Sequence, residues 1–298
     1  MTKLSLLFSL MTVQVVLNGI LQGLVLALLG IGFNIIFGVM KFANFAHGAI
    51  CVLGMYLVFL LSGRFGVPPF LAGILVIVVL FSGGYLFERF VLSGWMDRAD
   101  EEMPMVLSVG LLIFIENVVL LAFGADSHLI DVPLMKRAVV LGPMYFRSSV
   151  FVAAAATLVV FIFGYLLLMK TRFGARIRAV ADNKTGARIV GIRIVRVNAM
   201  AFGISVAFAG IAGTCLSMME PFTPFRGLGL TLVSFVIVVI GGMGSIVGSL
   251  LGGLLVGVLN SLGQYMVSES MSLLVGYVFL FATLLLRPEG LLGKGKGK

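Results

Sequence analysis

Residues 4–40 read LSLLFSLMTVQVVLNGILQGLVLALLGIGFNIIFGVM and contain no charged side chain. A membrane-spanning helix needs about 20 predominantly apolar residues, so this stretch is longer than a single span requires. We expect a short first helix over residues 4–17 and a full span over residues 19–40, with a break at Asn18 and Gly19 between them. The stretch predicts a protein that lies in a membrane.

The rest of the chain has the same character. Of its 298 residues, 60% are apolar and 11% are charged, whereas an average soluble domain has about 25% charged residues. This composition excludes a soluble globule, a disordered chain, a disulfide scaffold and a nucleic-acid-binding domain, despite the net charge of +9. Further apolar segments at 48–62, 70–87, 104–124, 148–169, 198–219, 228–243, 247–266 and 271–286 are helix candidates. We therefore predict an all-α polytopic membrane protein with about eight or nine transmembrane helices in a single domain spanning residues 1–298.

The distribution of Lys and Arg predicts which loops face the cytoplasm, because short cytoplasmic loops carry an excess of both. Residues 170–196 hold eight of the 21 basic residues against one acid. With this loop and the C-terminal tail inside, alternation of the spans places fifteen basic residues inside and six outside. The loops at 125–147 and 220–227 then face outward, and we expect His128 to be solvated there. Glu88-Arg89 ends a span and predicts an ion pair at the membrane edge.

Two interruptions predict broken or re-entrant helices. The first is KFANFAHG at residues 41–48, and the second is GGMGS at 241–245. Free backbone groups at such breaks are tolerated only where they are buried in protein or line a wet path. One broken helix early and one late is typical of a transporter with an inverted repeat, which makes such a repeat possible here. The glycines that we assign to helix breaks or close helix packing are Gly48, Gly241, Gly242, Gly244, Gly248 and Gly252.

Ionisable and amide side chains inside the spans are costly in lipid and therefore informative. Glu116 lies about twelve residues into its predicted span, near the middle of the bilayer, and Asn117 follows it. Both are either hydrogen-bonded between helices or line a translocation path. Asn44 and His47 in the first break either cap freed backbone groups or contact a substrate. These four residues are our translocation-path candidates.

The stretch ADNKTGARIVGI at residues 181–192 has the signals of a short helix on the cytoplasmic side. Asp182 or Asn183 can cap its start, and Gly191 can end it. A basic loop held near anionic lipid explains the charge of this region. It does not explain an ordered and capped helix, which favours a docking element for a cytoplasmic partner.

Motifs of catalysis and metal binding are missing from the sequence. It has no G-x-x-x-x-G-K-[ST], no HExxH and no CxxC pattern, and it has two histidines in all. We therefore predict neither an enzyme nor a metal site. An ion-driven carrier usually has several acids within its spans, and in this sequence Glu116 is the one acid that clearly lies within a predicted span. The energy for transport is then expected from elsewhere, with a stand-alone ion-coupled carrier as an alternative.

Several motifs together resemble the LivH-type permeases of branched-chain amino acid ABC importers. They follow one another in the order Asn44–Gly48, Glu88–Arg89, Phe173–Ala179, Val190–Ile192, Gly241–Ser245 and Arg287–Gly293. The resemblance extends over essentially the whole chain. It implies an ABC-importer permease fold in the bacterial inner membrane.

The resemblance also implies partners and a substrate class. Branched-chain or other hydrophobic amino acids, or related small amides, would arrive from a periplasmic substrate-binding protein. A second homologous permease of the LivM type and two ATP-binding subunits of the LivG and LivF type would complete the importer. ATP and Mg would bind to those subunits, with no cofactor in this chain. Related systems import urea, short amides or aromatic acids, and a ribose-type sugar permease is an alternative.

The same resemblance assigns residues 181–192, within the coupling loop 170–196, as a coupling helix seated in a groove of the ATPase. The residues that it assigns to coupling are Arg176, Asp182, Arg188 and Gly191.

Overall fold

The computed structural model describes residues 2–96, 102–130, 138–287 and 289–293. Its helices are α1 (Thr2–Met40), α2 (His47–Phe65), α3 (Pro69–Phe87), α4 (Ser93–Met96), α5 (Met103–Phe123), α6 (Ser148–Lys170), α7 (Arg172–Asp182), α8 (Lys184–Ile189), α9 (Ile194–Met219), α10 (Gly227–Gly241), α11 (Ile246–Met266) and α12 (Glu269–Leu286). A π-helical turn at Glu88–Leu92 joins α3 to α4, and a 3-10 turn at Pro224–Arg226 precedes α10. Strands β1 (Ala138–Leu141) and β2 (Met144–Arg147) form an antiparallel hairpin before α6.

Eight helical segments of the described chain are long and apolar enough to cross a membrane. They run from 18 to 31 residues, and about 20 residues suffice to span the hydrocarbon core. The part of α12 at Leu274–Leu286 is a shorter apolar helix. The prediction of an all-α polytopic membrane protein is confirmed.

Helix α1 passes through Asn18 and Gly19 without interruption, so the break expected there is wrong. Gly19 instead lies against α11, because a Cβ at this position would come within 2.7 Å of the Val258 Cα. A Cβ at Gly23 would likewise come within 2.7 Å of the Gly253 carbonyl oxygen. Glycines spaced four residues apart let helix backbones approach closely. Gly19 lowers helix propensity, but it also lets α1 pack closely against α11.

The interior of the bundle lies around α9. Most residues of α9 are buried within the chain. In the most apolar 18-residue stretches of α5 and α6, by contrast, 22% is buried. Helix α3 packs against α9 through Gly73, Gly84 and Gly203, each of which would bring a Cβ within 3.1 Å of the opposite helix. Helices α5 and α6 therefore present most of their surface to lipid or to another protein.

The second helix break, between α10 and α11, is held by a side chain from α1. Asn34 accepts a hydrogen bond from the Gly244 N–H at 2.6 Å through Oδ1. Its Nδ2 donates to the Ser245 carbonyl at 2.9 Å and to the Ser249 hydroxyl at 2.7 Å. Gly242 and Gly244 have φ of +105° and +86°, which favours glycine. The break is thus an ordered turn, in which Asn34 bonds the Gly244 N–H and the Ser245 carbonyl.

The C-terminal segment completes the same turn. The N–H of Leu291 donates to the Ile240 carbonyl at 2.8 Å, and that of Leu292 donates to the Gly241 carbonyl at 3.1 Å. These are the last carbonyls of α10, which have no partner within that helix. The described part of the Arg287–Gly293 motif therefore caps α10 and belongs to the same structural unit as the glycine-rich break.

Replacing Asn34 with alanine is expected to lower the free energy of unfolding by about 2 kcal/mol, because three hydrogen bonds disappear and buried backbone groups lose a partner. Unfolding of the purified chain in mixed micelles titrated with SDS measures this change. Asn117→Ala is the matched control, because the Asn117 amide is exposed and donates to the Ile113 carbonyl of its own helix. Equal destabilisation by both substitutions would contradict the role assigned to Asn34.

Candidate functional site

The first helix break covers residues 41–46 and is held by hydroxyl groups of two other helices. The N–H of Phe45 donates to the Ser108 hydroxyl of α5 at 3.0 Å. The N–H of Gly48 donates to the Thr231 hydroxyl of α10 at 2.9 Å, and this hydroxyl donates to the Phe45 carbonyl at 2.9 Å. Ser and Thr side chains commonly satisfy backbone groups freed by a break within the membrane. The roles of Ser108 and Thr231 could not be predicted from the sequence, because isolated hydroxyls in apolar segments form no motif.

Asn44 and His47 lie inside this break and are almost inaccessible, with 1% and 0% of their surface exposed. Asn44 Oδ1 accepts from the Ala46 N–H at 3.1 Å. His47 Nε2 lies 3.0 Å from the Leu29 carbonyl oxygen, so this nitrogen carries the proton. Asn44 Nδ2 and His47 Nδ1 are buried without a hydrogen-bond partner. One unmet donor and one unmet acceptor thus lie within four residues of each other along the chain.

Glu116 and Asn117 lie elsewhere, on α5. Glu116 is half-buried and Asn117 is exposed, on a helix whose surface is mostly uncovered. Among the described residues, no hydrogen bond joins this pair to Asn44 or His47. The four path candidates therefore divide between the interior of the chain and its outer surface.

On the side predicted to be cytoplasmic, α7 and α8 form a capped pair. Asn183 Oδ1 accepts from the Gly186 N–H at 2.8 Å, so Asn183 caps α8 and Asp182 is the last residue of α7. Ala187 is buried and fastens α8 to the bundle. Gly191 follows α8 with a φ of +82°. A Cβ at Gly191 would meet open space, so a larger residue there costs backbone strain of about 1–2 kcal/mol and no steric clash.

The end of α8 exposes apolar side chains beside basic ones. Ile189 is 81% exposed and Val190 is 74% exposed. Arg176 and Arg188 are also exposed, one on α7 and the other directly before Ile189. A contiguous exposed apolar patch with a polar rim is typical of an interaction surface. An ordered helix that keeps Ile189 and Val190 uncovered has the chemistry of a docking element.

The chain matches the family of branched-chain amino acid transport system permease components over residues 15–286. It belongs to this family. The permease is 28% identical to the high-affinity branched-chain amino acid transport system permease protein BraD of Pseudomonas aeruginosa, over 94% of this chain and 95% of BraD. It is also 28% identical to LivH of Escherichia coli strain K12, with the same coverage.

A match to the ribose import permease protein RbsC of Bacillus subtilis is 34% identical over 46% of each chain. That match is partial, whereas those to BraD and LivH are nearly complete, so the amino acid branch of the family is favoured over the sugar branch. With eight apolar spans in the part of the chain that the structure describes, and with this family membership, the chain is a multi-pass protein of the inner membrane and a permease component of a transport system.

We expected His128 to be solvated in an outward-facing loop of this permease. The prediction is wrong, because the side chain is half-buried. Its ring packs 4.5 Å from that of Phe59 and 5.7 Å from that of Tyr56, measured between ring centroids. The backbones of His128 and Phe222 exchange hydrogen bonds at 3.0 and 2.9 Å. Aromatic pairs in this arrangement stabilise beyond the area that they bury. The cluster fastens the loop after α5 to the segment before α10.

The prediction of an ion pair between Glu88 and Arg89 is wrong. Glu88 is fully buried in the π-helical turn after α3, and both of its carboxylate oxygens lack a partner, whereas Arg89 is exposed. The Glu88 side chain therefore faces the interior of the bundle and the Arg89 side chain faces outward. The acids at 97, 100 and 101 in the following loop, and the lysines at 294, 296 and 298, lie outside the described residues.

Proposed function

We propose that this chain is the membrane permease subunit of an ATP-driven importer of branched-chain or similar hydrophobic amino acids. The observation that carries the proposal is the capped helix α8, which leaves Ile189 and Val190 uncovered on the predicted cytoplasmic side. The family match and the nearly full-length similarity to BraD and LivH support the substrate class. The sequence has no P-loop, so the energy comes from partner chains.

The proposed coupling element extends from α7 to the turn after α8. Ile189 and Val190 enter an apolar groove of an ATP-binding subunit, while Arg176 and Arg188 contact its acidic groups. Asp182 ends α7 and provides an acceptor for a partner's basic residue. Gly191 permits the left-handed turn that orients α8. Movement of the groove when ATP binds is then transmitted through a rigid helix.

The importer requires subunits that this chain does not contain. Two ATP-binding subunits of the LivG and LivF type hold ATP and Mg. A second permease of the LivM type pairs with this chain, and a periplasmic binding protein delivers the substrate. In this arrangement residues 1–298 act as one transmembrane domain, with residues 170–196 as the coupling loop.

The proposed translocation path follows the uncovered face of α5. A carboxyl group and an exposed amide near the middle of a membrane helix are costly against lipid. Glu116 and Asn117 therefore face the second permease, and the substrate passes between the two subunits. Helix α5 is available for this contact because it packs little against its own chain.

The first break contributes a second part of the path. Asn44 Nδ2 is an unmet donor, and the unprotonated His47 Nδ1 is an unmet acceptor. A zwitterionic amino acid offers a carboxylate to the first and an ammonium group to the second. Since both atoms are sealed in this conformation, they become accessible when α2 and α10 separate.

The full complex in proteoliposomes is expected to take up leucine only when ATP and the binding protein are both present. Radiolabelled leucine, urea and ribose are compared as substrates, and this chain alone is tested with a proton or sodium gradient. ATP-dependent uptake of leucine in excess of ribose supports the proposal. Ribose-specific uptake would favour the sugar alternative, and leucine uptake by this chain alone under an ion gradient would favour the carrier.

A further inference from the structure

A cavity of about 350 Å³ lies beside α8, between α7 and the start of α9. Three arginines line it: Arg176 from α7, Arg193 from the turn before α9, and Arg196 from the first turn of α9. Among the described residues, none of these guanidinium groups has a hydrogen-bond or ion-pair partner. Three like charges around one cavity repel each other unless an anion lies between them. The three arginines are exposed at the cavity wall, and their charge favours a negatively charged ligand.

The remaining lining residues are mostly apolar. Phe173, Val197 and Met200 form part of the wall, and Val197 is buried. A free phosphate has no apolar part that would use this wall. A glycerophospholipid has one, because its glycerol backbone and acyl chains begin directly below the phosphate. The combination of arginines and apolar side chains matches the junction between a headgroup and its chains.

The length of α9 places the cavity at the depth of the headgroups. Its 26 residues extend over about 39 Å, whereas the hydrocarbon core is about 30 Å thick. Because Arg196 lies in the first turn of α9 and is exposed, we expect the excess at this end of the helix, in the interfacial region of the predicted cytoplasmic leaflet. Basic pockets between transmembrane helices on this side are suited to anionic headgroups.

We propose that this cavity binds the phosphate headgroup of an anionic glycerophospholipid, held by Arg193 and Arg196. Guanidinium groups recognise phosphate through paired N–H donors. Val190 and Gly191 also line the cavity, so the lipid site adjoins the proposed docking surface and shares Val190 with it. Ile189 at the end of α8 contacts the partner protein, while Arg193 and Arg196 hold the lipid. The lipid fixes the angle between α7 and α9, and this angle orients α8.

The test compares two double variants of the full chain purified in a non-ionic detergent. Arg193→Gln/Arg196→Gln removes two charges from the cavity. Lys170→Gln/Arg172→Gln removes two exposed charges from the same loop without touching the cavity lining. Native mass spectrometry measures retention of phosphatidylglycerol, and of phosphatidylcholine as the neutral reference. The thermal midpoint of each variant without lipid checks that it folds.

The wild-type chain and Lys170→Gln/Arg172→Gln are expected to retain phosphatidylglycerol with similar affinity, in preference to phosphatidylcholine. Arg193→Gln/Arg196→Gln is expected to bind it about 25-fold more weakly, since each basic residue near an anionic surface adds about a factor of five. An equal loss in both double variants would overturn the proposal in favour of general surface charge. Unchanged affinity in the cavity variant would also overturn it.

Two further outcomes separate other ligands of the same charge. Stabilisation by millimolar inorganic phosphate equal to that by phosphatidylglycerol would overturn the assignment to a lipid. Normal lipid retention by the cavity variant, together with loss of ATP-binding subunits when the tagged variant is instead purified from cells that express the whole importer, would overturn the proposal and show that the arginines dock a protein carboxylate. Because binding is measured on this chain without transport, the result is independent of the proposed transport function.

Discussion

Replacing Ile189 and Val190 together with aspartate is expected to abolish ATP-driven uptake and to reduce recovery of the ATP-binding subunits by at least about 100-fold. Full burial of an isoleucine or valine side chain contributes about 1.5–3 kcal/mol, and an aspartate in the same groove adds the cost of burying an unpaired charge. Two such changes remove more free energy than the factor of 100 requires. Affinity purification of the tagged permease, followed by quantification of the co-purified subunits, measures the effect.

The matched control carries the same chemical change on the opposite side of the membrane. Val140 and Tyr145 are paired across the β1–β2 hairpin and are 55% and 65% exposed. Their double replacement with aspartate is expected to leave recovery of the ATP-binding subunits unchanged. Normal recovery in the Ile189→Asp/Val190→Asp variant, at wild-type membrane insertion, would contradict the coupling role of α8.

Features that depend on neighbouring residues could be predicted from the sequence. The apolar run at 148–169 gave the bounds of α6 to within one residue, because a helix in lipid must satisfy its backbone internally. Both helix breaks lie where polar or glycine residues interrupt a span. The cap of α8 by Asn183 is equally local, since the side chain bonds a backbone group three residues away.

Features that depend on residues far along the chain could not be predicted in this way. Gly19 looked like a break because glycine lowers helix propensity, but its contact with α11 more than 200 residues away decides the outcome. The bonds from Phe45 to Ser108 and from Gly48 to Thr231 are hidden for the same reason. The unmet atoms of Asn44 and His47 become visible only when every possible partner has been placed.

Replacing Gly48 with alanine is expected to destabilise the permease by about 3–5 kcal/mol and to remove most of the folded chain from the membrane. A Cβ at this position would lie 2.5 Å from the Thr231 nitrogen and still closer to the Gly227 carbonyl oxygen. Both are backbone atoms, so α2 and α10 must move apart. Overpacking costs about 1–3 kcal/mol, and separation also breaks the hydrogen bonds of Thr231 to Gly48 and Phe45, at about 1 kcal/mol each. Unfolding in SDS-titrated micelles measures the change.

Gly63→Ala is the control for this substitution. Gly63 lies in the same helix, but a Cβ added there has nothing within 4 Å. The comparison therefore tests whether the loss of stability in Gly48→Ala comes from contact with α10 and not from replacing a helical glycine. This control is expected to be neutral or to stabilise by up to about 1 kcal/mol, since alanine loses less backbone entropy in a helix. Equal stability of the two variants would show that α2 and α10 do not meet at Gly48.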